Sequence, residues 1–169
     1  MRYLLDTNVF IQAKNLHYGL DFCPAFWDWL IWMNAEGLVS SIDKVRDEID
    51  AGNDELTRWA RGPGSGLFPS TDAAVLASLA LVSQWATSQH YEPAAISTFF
   101  QSADYYLVAH ALARQCVVVT HEVPSTSAKR IKIPNACMGL SIQFMTPYDM
   151  LRRERALFVL GNPRGSVAQ

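Results

Sequence analysis

Four carboxylates stand where a chain of 169 residues could gather them: Asp6, Glu48, Asp104 and Glu122. Asp6 closes the apolar start of YLLDTNVFI, residues 3 to 11, and Glu122 stands two residues past a β-branched run that ends at Thr120. Asp104 shares a helical stripe with Leu107, Val108 and Ala111, which turns its charge toward apolar packing. An inward carboxylate is costly unless it is paired or holds a cation. Glu48 follows Val45 by three positions and is the inward candidate among Asp43, Asp47 and Asp50. Each acid also has an ordinary alternative. Asp6 suits a helix cap, Asp104 a first-turn charge against the helix dipole, Glu48 a surface pair with Lys44, and Glu122 a solvated loop. Brought together, such oxygen ligands suit Mg²⁺ or Mn²⁺ and the activation of water against a phosphodiester, with no covalent nucleophile.

The elements that must position these acids follow from hydrophobic pattern and punctuation. Tyr3 to Leu5 reads as a buried strand, followed by a helix from Val9 to Lys14 that Asp6, Thr7 or Asn8 can cap. Pro24 to Glu36 is a helix apolar on nearly every side, so burial almost all round is expected, with simple core packing favoured over an interface for Trp27, Trp29 and Trp32. Leu38 to Ser40 reads as a second strand, and Ser41 opens a helix carrying Ile42, Val45 and Ile49. A long helix from Thr71 to His90 should turn Val75, Leu76, Leu79, Val82 and Trp85 inward, with Asp72 and Asp149 as first-turn residues of their helices. A short helix opens at Glu92-Pro93 and another runs from Ser102 to Arg114. Cys116 to Thr120 is a strand without alternation, as expected where both faces are covered. Residues 122 to 135 read as a loop, Leu140 to Phe144 as a last strand, and Thr146-Pro147 as the start of a helix toward Leu160. The sum is an α/β fold, a three-layer α/β/α sandwich with a mostly parallel central sheet. Ligand sites in such sheets lie beyond the carboxyl ends of strands, where Asp6 and Glu122 both emerge. Asn8, Ser40, Ser41 and Thr120 stand near that edge and are candidates to orient carboxylates.

Composition narrows the classes. Half the residues are apolar and 18% are charged, which fits one packed domain over residues 1–160 and a flexible tail over 161–169. Three widely spaced cysteines form no CxxC pair, so reduced thiols and a cytoplasmic setting are expected, with Cys116 and Cys137 in the core. No signal segment and no membrane span is read. A net charge of -2 gives no global attraction for nucleic acid, so phosphate contact falls to local clusters. Lys129, Arg130 and Lys132 follow Glu122 closely and rank above Arg152, Arg153 and Arg155 as candidates for substrate binding. Neither a GxSxG elbow nor a P-loop occurs, and four scattered histidines without HExxH spacing make His121 a bystander.

LLDTNVFI, SSIDKVRDEI (residues 40 to 49), SADYYLVAHALA (residues 102 to 113) and VVVTHE (residues 117 to 122), in this order, resemble the PIN domain family of metal-dependent ribonucleases. That family includes the VapC-like toxins of bacterial toxin–antitoxin pairs. The resemblance covers most of residues 1 to 150 and places the acidic ligands at Asp6, Glu48, Asp104 and Glu122. The family more often has Asp than Glu at the fourth position, and AKRIKIPN is similar to a less characterised PIN-like subgroup. The resemblance implies an endoribonuclease using Mg²⁺ or Mn²⁺, an RNA substrate, a cognate antitoxin and homodimerisation. The alternative is a catalytically inactive PIN-like module that binds RNA or a partner.

Overall fold

The computed structural model describes residues 2–159. Strand β1 (Tyr3–Leu5) leads through Asp6 into α1 (Thr7–Gln12), which runs on as a π-helical turn over Ala13–His17. Helix α2 (Pro24–Ala35), with Pro24 in its first turn, is followed by β2 (Val39–Ser40), α3 (Asp43–Asp50) and α4 (Glu55–Arg61). Then come α5 (Ala73–Ser88), α6 (Pro93–Gln101), α7 (Ala103–Arg114), β3 (Val117–Val119), α8 (Ile133–Gly139), β4 (Phe144–Met145) and α9 (Pro147–Arg153).

The four strands form a parallel sheet in the order β2-β1-β3-β4, with Leu4 beside Ser40 on one side and Val118 on the other. β1 and β3 are buried along their whole length, which is why neither alternates in polarity. The strands are short, and side chains and loop backbone extend their pairing. Ser41 Oγ donates to the Leu5 carbonyl at 2.6 Å, and Asp6 N–H donates to the Val119 carbonyl at 3.0 Å. The core gathers Tyr3, Phe10, Phe26 and Trp27, all within 2% of full burial, and Cys116 and Cys137 lie within it. Each such large side chain contributes about 1.5–3 kcal/mol by leaving water.

Several expectations need correction. In α2 only Phe26, Trp27, Leu30 and Met33 are buried, while Trp32 is 57% exposed, because a helix lying on one side of a sheet hides one stripe. In α5 the buried stripe is Val75, Ser78, Val82 and Ala86, and Leu76 faces out. Asp72 is itself the cap of α5, accepting from the Val75 N–H. Part of the stretch read as loop belongs to α8, whose Pro134 marks a first turn rather than a break. The last strand shifts from Leu140–Phe144 to Phe144–Met145, because Ser141, at φ 57°, turns the chain after α8. α9 stops at Arg153, with Arg155 at φ 53°. The expected tail, 161–169, lies outside the described residues. Among the described residues no helix is long and apolar enough to cross a membrane.

Candidate functional site

The chain leaves β1 toward β2 on one side and returns as β3 on the other, so the crossovers reverse direction between β1 and β3. At such a switch point the connections part and leave a crevice beyond the strands' carboxyl ends. Asp6 comes off β1 there, and Thr120 and Glu122 come off β3. Helices α3 and α7 bring Glu48 and Asp104 to the same place. All four acids line one open cleft of ≈ 320 Å³, together with Thr7, Asn8, Ser102 and Arg130.

Asp6 has the extended backbone of a helix cap, yet its side chain caps nothing. Its Oδ2 instead accepts from Thr120 Oγ1 at 2.8 Å. That hydroxyl oxygen also accepts from Asn8 Nδ2 at 3.1 Å and from the Glu122 N–H at 3.0 Å, while Asn8 Oδ1 accepts from the His121 N–H at 3.1 Å. A Thr and an Asn thus tie the ends of β1 and β3 together and aim Asp6. Ser41, expected beside them, acts one step behind by holding the Leu5 carbonyl.

Glu48 lies on the exposed edge of the cleft, and its carboxylate is held by Thr7 Oγ1 on Oε2 and by the Ala103 N–H on Oε1 at 3.2 Å. That N–H opens α7 and has no partner within its own helix. Glu122 is bound up differently. Its Oε1 accepts from Lys132 Nζ at 2.6 Å and from Arg130 Nη2 at 3.2 Å, and its Oε2 accepts from the Ile133 N–H at 2.9 Å. Of the three basic candidates, Lys132 therefore turns toward Glu122, Arg130 shares that acid while 64% exposed, and Lys129 rims a neighbouring hollow.

Thr7, Ser102 and the Ala103 N–H escaped the sequence reading as site residues. Their only signal there was adjacency to Asp6 and Asp104. Ser102, Asp104 and Arg130 also line the neighbouring hollow of ≈ 320 Å³, whose other walls include Thr98, Phe99 and Lys129. His121 packs instead with His17 and Tyr148, its ring 5.7 Å from each, and is not among the residues lining the cleft.

Residues 3–158 match the family described as "Domain of unknown function (DUF4411)". The chain belongs to the DUF4411 family. No curated protein matches it. Among solved structures, FitAcB from Neisseria gonorrhoeae is similar to this DUF4411 chain with a TM-score of 0.54 and 19% identity, covering 86% of this chain and 98% of that one. FitAB bound to an IR36 DNA fragment has a TM-score of 0.53 and 18% identity, covering 86% and 95%. The DUF4411 chain has the PIN-like α/β fold of these neighbours.

Burial and crowding of like charge dominate the electrostatics of the DUF4411 cleft. Asp6 is 4% exposed, and burial, then the charge of Asp104, push its carboxyl up to about 8 despite the Thr120 hydrogen bond. Burial, then Glu122 and Glu48, push Asp104 up to about 7, while Arg130 and Lys132 pull it down. Among the described residues, no three Asp, Glu, His or Cys side chains form a ready ligand cage. The donors are nevertheless all oxygen, and Mg²⁺ is commonly held by one or two carboxylates with water filling the remaining positions. Asp6 and Asp104, with Glu48 at the rim, fit such a hard divalent ion.

Proposed function

We propose that this chain is a metal-dependent endoribonuclease that hydrolyses RNA phosphodiester bonds, and the toxin of a bacterial toxin–antitoxin pair acting in the cytoplasm. The observation that carries the reading is the convergence of Asp6, Glu48, Asp104 and Glu122, from four separated parts of the chain, on one cleft at the sheet's switch point. A fold stabilised for its own sake would not crowd four acids together, because burial and repulsion destabilise it. Asp6 and Asp104 would hold Mg²⁺ or Mn²⁺, with Glu48 reaching in from the rim. When bound, such an ion makes nearby water more acidic and neutralises charge on a phosphodiester.

The chain's own groups then have defined tasks. Thr120 fixes the Asp6 carboxylate, and Asn8 fixes Thr120. Thr7 and the Ala103 N–H hold Glu48 at the cleft's edge. Lys129 and the exposed part of Arg130 offer positive charge to phosphates, and the adjoining hollow extends the path for the next nucleotide. The PIN-like fold supports the nuclease reading. The two-component name FitAB, of a DNA-bound assembly, is the analogy for a protein partner.

The test is incubation of the purified chain with structured RNA and Mn²⁺, with and without chelator, beside Asp104→Asn. Cleavage that needs the ion and vanishes in a folded Asp104→Asn variant supports the proposal. Intact RNA combined with no measurable Mn²⁺ binding by the wild type would leave the inactive binding module as the reading.

A further inference from the structure

The state of Glu122 separates this chain from a site with four equivalent acids, and the inference drawn from it rests on the metal-dependent reading above. Glu122 offers little to an ion. Both oxygens accept hydrogen bonds, three in all and two of them from cations, and its side chain is 9% exposed. The cations are anchored as well. The Ser125 N–H donates to Asn135 Oδ1 at 2.9 Å, Asn135 Nδ2 donates to the Ser125 carbonyl at 2.8 Å, and the Glu92 N–H donates to the Ala128 carbonyl at 2.9 Å. The segment between β3 and α8 is thereby tied at Ser125 and at Ala128. Lys132 directly precedes Ile133, the first residue of α8, so the ammonium and the Ile133 N–H reach the same carboxylate from consecutive residues.

In two-ion phosphodiesterases, two cations share the bridging carboxylates and divide the charge of the attacking and leaving oxygens between them. Here four carboxylates face two side-chain cations, and both cations sit on the same acid. We propose that Lys132, backed by Arg130, takes the place of the second ion, so that the centre binds a single divalent ion on the Asp6 and Asp104 side. Glu122 is then the seat of a built-in positive charge. This gives the basic run AKRIKIPN a task that general phosphate attraction does not, since Lys132 turns inward with only 26% of its side chain exposed.

The experiment is a Mn²⁺ titration of the metal-free full chain by calorimetry, with electron paramagnetic resonance of the loaded protein. The wild type is expected to bind one Mn²⁺ and to show no signal of a spin-coupled pair. Glu122→Gln should weaken that ion by less than about tenfold, below the loss expected even for an outer-shell partner of a ligand. Asp104→Asn should lose it. Combining Lys132→Met with Arg130→Met frees Glu122 and should admit a second, weaker Mn²⁺ with the coupled signature. If the double variant does not fold, Glu122→Gln alone decides. Two ions in the wild type, or an ion weakened more than that by Glu122→Gln, overturn the inference and leave the nuclease reading standing. The same holds for a folded double variant that still takes one ion. No Mn²⁺ bound by the wild type sinks both.

Discussion

The cleft should make the ion-free protein less stable as pH rises, against the usual trend for carboxylates. Asp6 and Asp104 ionise near 3.8 when unfolded but at about 8 and about 7 in the fold. Between those limits the folded state binds more protons than the unfolded one, so unfolding free energy falls with pH. The stabilisation held by the protonated acids is complete below about pH 4 and is lost as pH climbs through 7 to 8. Because the two acids are coupled, we count one shared proton rather than two, or about 1.4 kcal/mol per pH unit. From pH 5 to 7 this amounts to about 2.7 kcal/mol, or a fall in Tm of about 5–10 °C for a chain of this size. The assay is thermal melting in chelator across pH 5 to 9, comparing wild type with an Asp6→Asn/Asp104→Asn double variant. In the variant an Asn at position 6 keeps an oxygen for the Thr120 hydroxyl. His110 and His121, whose pKa values burial lowers, push the slope the other way in both proteins, so the difference curve isolates the acids. The variant should overtake the wild type as pH rises, and Mn²⁺ should restore the wild type alone. A difference in Tm that is flat from pH 5 to 7 would refute the reasoning.

Thr120→Val removes the donor to Asp6 and the acceptor of two further hydrogen bonds; chemical denaturation should read a loss of about 1–3 kcal/mol, largely recovered by Thr120→Ser. Ser41→Ala should cost about 1 kcal/mol in the same assay by freeing the buried Leu5 carbonyl, with no change in Mn²⁺ affinity. Thr98→Trp, on an exposed position lining the hollow beside the cleft, should slow cleavage of an RNA oligomer while sparing hydrolysis of bis(p-nitrophenyl) phosphate. Equal loss on both substrates would mean that the hollow is not part of the substrate path.

What could be read in advance was local. The unalternating Val117–Val119 and the short Tyr3–Leu5 announced covered parallel strands, and the strand-end rule then brought Asp6 and Glu122 to one edge. The inward stripe of Asp104 was legible from spacing alone. What escaped depends on contacts between distant segments. The Pro134-Asn135 pair looks like a loop until α8 docks, and Asn135 then serves to hold Ser125. The spacing of its helix points Glu48 inward, yet it sits at an exposed edge and is drawn in by the hydroxyl of Thr7 and the first N–H of α7. The capture of Glu122 by Lys132 bridges ten positions through a loop whose path depends on Glu92. The exposure of Trp32 depends on which side of α2 the sheet lies, which an all-round apolar helix does not announce.

The insertion of β3 beside β1 has a consequence for biosynthesis. Asp6 emerges from the ribosome early, but Thr120, which aims it, and Lys132, which neutralises its neighbour, come more than a hundred residues later. Until that late segment threads into the sheet, Glu48 can already meet Thr7 and the Ala103 N–H, but Asp6 lacks the hydroxyl that aims it and Glu122 has not joined the cleft. On the proposed nuclease reading, a chain cut short before Thr120 should therefore lack the assembled cleft and show no cleavage.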